Sequence, residues 1–138
     1  MSNELNKLKL SLLEQFSVLE DEFRKILLEK NIQVVLCSGA WVNENGVGAG
    51  WLSCSSGDAK KEVLELTGDF QLDERNTLFD CGIYCSDGRF VEDFGSLDIG
   101  SINDIDALID NIKTKLIEIS RNGLPRYLIC LVENLDNI

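Results

Sequence analysis

The sequence of 138 residues predicts an α+β domain in which two long amphipathic helices pack on a mostly antiparallel sheet. Two segments carry apolar residues at spacings of three and four, which is the helical period. Two dipeptides with turn chemistry, Asn45-Gly46 and Asp87-Gly88, lie between alternating segments and predict hairpins. We interpret residues 1–138 as one domain with the order α-β-β-(β)-β-β-α-β, in which the bracketed strand is the least defined element.

The first predicted helix runs from Glu4 to Lys30, with charged residues between its apolar positions. Those apolar positions are Leu5, Leu8, Leu12, Phe16, Leu19, Phe23 and Ile26. At about 1.5 Å per residue the helix is about 40 Å long, which is enough to cross the whole domain. Leu10, Leu13 and Leu27 widen the apolar stripe, so the sequence is also compatible with a homodimer formed through this helix.

The second predicted helix spans Ser101–Arg121 and carries isoleucines and leucines at helical spacing. Ser101 followed by Asp104 resembles a capping box, and Gly123 is expected to end the helix. Asp104 and Asp106 then lie in the first turns, where the positive end of the helix dipole stabilises carboxylates.

Alternation of apolar and polar residues predicts two hairpins. The first covers Ile32–Ser55 and is expected to turn at Asn45-Gly46 in a type I′ conformation, which requires a positive φ at both residues. The second joins Leu78–Cys85 to Arg89–Phe94 through Asp87-Gly88.

Two further segments are predicted as strands from weaker signals. Ala59–Asp69 is compatible with a short helix or an edge strand, and the need of the hairpins for sheet neighbours favours the strand. Tyr127–Val132 is a continuous apolar run, typical of a strand buried on both faces. Gly46-x-Gly48-x-Gly50 leads into a strand rather than a helix, so we expect close packing of a large side chain there and no phosphate loop.

The five cysteines are expected to be reduced and mostly buried. They are Cys37, Cys54, Cys81, Cys85 and Cys130, and no two of them form a C-x-x-C pair. Each lies in an apolar segment, where free cysteine behaves as a small hydrophobic residue. Cys81 and Cys85 are expected on one face of one strand, too far apart for a disulfide.

The chain contains no histidine, which removes the commonest general base and metal ligand. Asp69–Asp80 has the length of an EF-hand loop, but Glu74 stands where the sharp turn requires glycine. The sequence therefore predicts no metal, no cofactor and no enzymatic activity. An enzyme that uses carboxylates alone is the lowest-ranked alternative.

The net charge of −11 is concentrated in one part of the chain. Residues 70–110 hold ten carboxylates and two arginines, a local charge of −8. Such a field attracts basic proteins and repels nucleic acid and anionic membranes. The candidate residues for binding a basic protein partner are Asp73, Glu74, Asp87, Glu92, Asp93, Asp98, Asp104 and Asp106. Trp41, close to a predicted hairpin turn, is a candidate aromatic anchor of the same interface.

The sequence also carries no membrane or export signal. It has no run of about 18 uncharged apolar residues, and charges interrupt the first thirty residues, where a signal peptide would need an apolar core. Together with the unpaired cysteines, this predicts a cytoplasmic protein.

In size, acidity, unpaired cysteines and lack of a catalytic set, the chain resembles small bacterial immunity proteins. The resemblance is to a class and carries no residue with it. It implies that the protein neutralises a basic, nuclease-type toxin by occluding its substrate cleft. The alternatives are a secretion chaperone, since acidic α+β chaperones of type III secretion also begin with an amphipathic helix, and a nucleic-acid mimic that inhibits a DNA-binding protein.

Overall fold

The structure, a computed structural model, describes residues 2–55, 62–85 and 90–122. A helix precedes five strands and a second helix follows them. The elements are α1 (Ser2–Glu29), β1 (Val35–Val42), β2 (Val47–Ser55), β3 (Glu62–Gln71), β4 (Thr77–Cys85), β5 (Phe90–Gly100) and α2 (Ile105–Asn122). The predicted α+β class is confirmed.

The five strands form one antiparallel meander in the order β1-β2-β3-β4-β5. From Glu62 onward the ambiguous segment Ala59–Asp69 belongs to strand β3, as expected, and residues 59–61 lie outside the described residues. The strands of both predicted hairpins pair. The order over the described residues is thus α-β-β-β-β-β-α. The last predicted strand, Tyr127–Val132, lies outside the described residues.

The strand count also sets the direction of the helices. Five antiparallel strands are an odd number, so β1 and β5 run the same way, and the helices before and after them run parallel to each other. Lys7 pairs with Asp106 near the start of both helices, and Val18 lines a groove with Ile117 further along. Within the part of the chain that the structure describes, no helix is long and apolar enough to cross a membrane.

The predicted apolar stripe of α1 is buried, with one shift at its end. Phe16 and Phe23 are fully buried, together with the leucines of the stripe. At the last turn Leu27 is buried and Ile26 is only half-buried, because Leu27 continues the buried stripe four residues after Phe23 and Ile26 lies at its flank. Leu10 points to solvent with 57% of its surface exposed.

Glycines in the sheet make room for aromatic rings of the core. A Cβ on Gly50 would clash with the ring of Phe16, and one on Gly68 would clash with the ring of Phe79. A Cβ on Gly48 would lie 2.6 Å from Cζ of Phe70. The expectation that the glycines after Asn45 allow a large side chain to pack closely is therefore confirmed.

The first hairpin closes with a different turn from the one predicted. Gly46 has φ +76°, but Asn45 is not in the left-handed region, so the turn is not type I′. The Gly46 amide donates to the Asn43 carbonyl at 3.0 Å, and the Asn43 side chain accepts from the amides of Asn45 and Val47. The side chain of Asn43 thus organises a longer loop in which only glycine needs a positive φ.

Helix α2 begins later than predicted because Asp104, not Ser101, is its N-cap. The Asp104 carboxylate accepts from the Ala107 amide at 3.1 Å, and the helix starts at Ile105. The Ser101 hydroxyl instead donates to the Glu74 carbonyl and accepts from the Asn103 amide. Ser101 therefore connects the β3–β4 loop to the helix entry.

The cysteines divide between the two faces of the sheet. Cys54 and Cys81 are buried, and burial raises the pKa of each thiol to about 12. Cys37 is exposed, so the prediction of burial is wrong for this residue. Cys85 is the last residue of β4, and Cys130 lies outside the described residues.

We expect Gly50→Ala to lower the free energy of unfolding by about 1–3 kcal/mol, because the added methyl group meets the buried Phe16 ring. Chemical denaturation measures the change. The double variant Gly50→Ala/Phe16→Leu should lose less unfolding free energy than the sum of the losses in the two single variants, because the smaller leucine side chain leaves room for the added methyl group. Full additivity would contradict this packing.

We expect Cys37 to react rapidly with a thiol reagent in the folded protein, because its side chain is exposed. Cys54 and Cys81 should react only on unfolding, since both thiols are buried and protonated at neutral pH. Peptide mass spectrometry after a short labelling pulse separates the three sites. Equal labelling of Cys37 and Cys54 under native conditions would contradict the strand register.

Candidate functional site: an acidic sheet face

The sheet has one face toward the helices and one face away from them. The helix side carries Leu52, Leu66, Phe79 and Ile83, which are all fully buried. The other side, which we call the open face, is formed by the alternate residues of the strands. Its members are Val35, Cys37, Gly39, Trp41, Val47, Ala49, Trp51, Ser53, Ser55, Glu65, Thr67, Asp69, Gln71, Leu78, Asp80, Gly82, Tyr84, Asp93, Ser96 and Asp98.

Five carboxylates share the open face of the sheet. The described strands contain seven acidic residues and not one lysine or arginine. Five of the seven belong to the open face, namely Glu65, Asp69, Asp80, Asp93 and Asp98. Their negative charge is therefore concentrated on one side of the sheet.

Asp69 and Asp80 are the closest pair in this arrangement. They stand directly opposite each other on β3 and β4, a position that brings Cβ atoms to about 5 Å. Partial loss of solvent raises the pKa of Asp69 above its ordinary value of 3.8, and the charges of Asp80 and Glu65 raise it further. Two like charges at this spacing destabilise the folded protein.

Tyr84 lies among the same carboxylates. It stands opposite Glu65, and its side chain is half-buried. Burial raises the pKa of the Tyr84 hydroxyl, and Asp69, Asp93 and Asp80 raise it further. The phenol is therefore neutral over the physiological range and lies within the field of the acids.

Two tryptophans flank the acids toward β1 and β2. Trp51 crosses the strand boundary onto Gly39, where a Cβ would lie only 2.8 Å from its Cη2 atom. Trp41 is 42% exposed and begins the row that continues through Ala49, Asp69 and Asp80. The open face therefore joins an aromatic half to an acidic half.

Three of the residues predicted from the sequence lie on this face. They are Trp41, Asp93 and Asp98. Asp93 accepts from the Gly95 amide at 2.7 Å and Asp98 from the Gly100 amide at 3.0 Å, and both glycines have positive φ. These two hydrogen bonds stabilise the positions at which the register between β4 and β5 shifts. The shift at Gly95 places Asp93 and Ser96 on the same side of the sheet.

Four predicted residues lie elsewhere and have local structural contacts. The Asp73 carboxylate accepts from the Arg75 amide at 2.7 Å in the β3–β4 loop, where the Glu74 carbonyl accepts from Ser101. Asp104 caps α2, and Asp106 forms an ion pair with Lys7 of α1. The structure does not bring these four together with the open face.

The other two predicted residues do not join the open face either. Glu92 pairs with Ile83, whose side chain belongs to the helix side of the sheet. Adjacent positions on a strand point to opposite sides, so the side chains of Glu92 and Asp93 diverge. Asp87 lies outside the described residues.

Sequence reasoning missed Glu65, Asp69, Asp80, Trp51 and Tyr84. A signal for them existed in the alternation of Leu64-Glu65-Leu66-Thr67, which continues to Asp69. It could not be used because the register between β3 and β4 was unknown, and only that register brings Asp69 opposite Asp80. Among the described residues there is no group of three cysteine or carboxylate side chains that could hold a metal ion.

Comparison of the chain with protein-family models, with curated proteins and with solved structures found no match.

We expect Asp69→Asn to raise the free energy of unfolding at pH 7 by about 0.5 kcal/mol, because it removes a like-charge contact across two strands. The sign depends on pH. Folded Asp69 holds its proton more tightly than unfolded Asp69, so ionisation costs stability only as the pH rises through the raised pKa. The gain over wild type should therefore disappear near pH 3.8, the ordinary pKa value.

Chemical denaturation at both pH values measures this difference. Glu118→Gln on α2 is the control, since it removes an exposed carboxylate that lies outside the sheet. A loss of stability in Asp69→Asn at neutral pH would contradict the assignment.

Proposed function

We propose that the protein binds a basic protein partner through the open face. The observation that carries the proposal is the direct opposition of Asp69 and Asp80 in a sheet without a single described strand cation. This opposition costs stability in the isolated protein. A lysine or arginine of a partner placed between the two carboxylates removes the repulsion and adds charge-assisted hydrogen bonds.

The aromatic half of the face supports the same proposal. Trp41 exposes 42% of its surface, and the half-buried indole of Trp51 packs against Gly39 of the neighbouring strand. Tryptophan is enriched among the residues that dominate binding energy, and its ring attracts lysine and arginine side chains. A basic partner thus gains both apolar contact and charge complementarity from one surface.

The class of partner follows from what an acidic sheet can block. Nucleases carry basic clefts for their phosphate substrate, and an acidic face that covers such a cleft excludes nucleic acid while binding quickly. We therefore propose that the protein acts in the cytoplasm as an immunity protein that neutralises a nuclease-type toxin. Its action is occlusion, with no catalytic step of its own.

Affinity capture tests the proposal. The tagged chain is used to capture partners from the cells that produce it, and the partner identified in this way is then purified and its binding and activity are measured. The proposal requires a basic protein whose enzymatic activity falls as the chain is added. A captured secreted effector without such activity would indicate a chaperone, and competition with duplex DNA for a DNA-binding partner would indicate a nucleic-acid mimic; either result overturns the immunity function.

We expect the double reversal Asp69→Lys/Asp80→Lys to weaken binding of that partner at least about 100-fold, because it replaces the attraction at the centre of the face with repulsion. Asp110→Lys/Glu118→Lys on α2 is the matched control, since it changes the net charge equally on the helix side. The control should lower the association rate only modestly. Isothermal titration calorimetry or surface plasmon resonance measures the affinities.

Salt gives an independent readout of the same interface. The association rate of the wild-type chain should fall steeply between low and physiological ionic strength, and that of the open-face reversal should not. Equal affinities of the two double reversals would show that the open face is not the binding surface. A circular dichroism spectrum and a melting curve for each variant establish that it folds.

A further inference from the structure

The helix layer differs in charge from the sheet. Helix α1 carries six acidic and four basic residues, and α2 carries three of each. The two helices therefore hold seven of the 13 lysines and arginines of the chain and are nearly neutral, whereas the described strands have no cation. Self-association through the helices is not opposed by the charge that opposes it through the sheet.

Large apolar side chains are exposed on this nearly neutral layer. Leu10 is 57% exposed, Val18 46% and Ile117 42%. Two grooves follow the line between α1 and α2, one of about 560 Å³ beside Leu10 and Ile109 and one of about 360 Å³ beside Val18 and Ile117. The exposed residues thus belong to one continuous strip along both helices.

The exposed side of α1 is complementary to the same side of a second copy that runs antiparallel to it. Eight exposed residues lie within about 40° of the direction of Glu14 on a helical projection, and these are Asn3, Lys7, Leu10, Glu14, Val18, Asp21, Lys25 and Leu28. The first seven are arranged symmetrically about Glu14, and Leu28 has no counterpart in that arrangement. If two copies of α1 cross antiparallel at Glu14, Leu10 of one lies opposite Val18 of the other. Lys7 of one then lies opposite Asp21 of the other.

We infer that a second copy of this chain docks on this strip, with a two-fold axis at Glu14 of α1. Two apolar pairs and two ion pairs form symmetrically about the axis. The two Glu14 carboxylates meet at the axis. Lys113 of α2 lies level with Glu14, because the helices run parallel and each residue is seven positions beyond the Lys7–Asp106 pair. The strip is about 30 Å long and about 20 Å wide over two helices, so about 1,200 Å² is buried in total, which is within the range of specific interfaces.

The dimer leaves the two open faces on opposite outer sides. The inference does not depend on the proposed function, because it concerns the other face of the molecule. If both hold, one dimer presents two acidic surfaces and binds two partner molecules.

Light scattering after size exclusion tests the dimer with the full chain. The wild type should show twice the 15.4 kDa of one chain. Leu10→Glu and Val18→Glu should each raise the dimer dissociation constant at least about 30-fold, because an unpaired charge is buried at the contact. Leu78→Glu is the matched control, since Leu78 is 48% exposed on the open face and its substitution should leave the dimer intact.

A charge exchange tests the register. Lys7→Glu alone and Asp21→Lys alone should each weaken the dimer about threefold to tenfold, and the double variant should return it to near the wild-type value. Lys7→Glu also removes the exposed pair with Asp106, which contributes little. Rescue cannot come from within one chain, because Lys7 and Asp21 are about 21 Å apart along α1.

The outcomes are decisive for the inference. A wild-type chain that remains monomeric at all accessible concentrations overturns it. A dimer that survives Leu10→Glu and Val18→Glu but dissociates in Leu78→Glu places the contact on the sheet and overturns it as well. Loss of the dimer without rescue by the double charge exchange rejects the antiparallel crossing at Glu14.

Discussion

The contact between the Phe16 ring and the backbone of Gly50 is the constraint on which the rest of the structure depends. It sets the distance between α1 and the sheet, since any side chain at Gly50 would occupy the space of the ring. It also decides which side of each strand is buried, because a slip of one residue would exchange the two faces of the sheet. The same principle extends to Gly68 and Phe79 in the neighbouring strands. Close packing against these glycines thus favours the observed register from β2 to β4.

Once the register is fixed, five of the seven carboxylates of the described strands lie on the open face. Ionised carboxylates avoid the helix side, where burial would cost them hydration, so Glu65, Asp69 and Asp80 collect on the open face. Their mutual repulsion is tolerated because the core beneath them is continuous and well packed. A residue that lowers stability without a structural benefit is understandable when it serves binding, and this is the physical basis of the proposed function.

The two layers of the molecule consequently have different chemistry. The sheet presents carboxylates and tryptophans, while the helices present mixed charges and a strip of exposed apolar side chains. A surface of one charge sign selects a partner of the opposite sign, whereas a surface of mixed sign can match its own copy. The segregation allows the two kinds of contact to exist on one small chain without competing for the same residues.

The sequence by itself determined the elements: two amphipathic helices, the hairpins at Asn45 and after Cys85, and an antiparallel sheet, because each depends on the period of apolar residues or on turn chemistry within a few positions. It also located Trp41, Asp93 and Asp98. Tertiary structure alone decided that Asp69 meets Asp80, that Asp73 and Asp104 serve a turn and a helix cap, and that Cys37 faces solvent. These outcomes depend on strand register and on which face the helices cover, and both are set by contacts between residues distant in the sequence. A run of acidic residues therefore predicts the sign of a surface, but only the packed sheet determines which carboxylates share it.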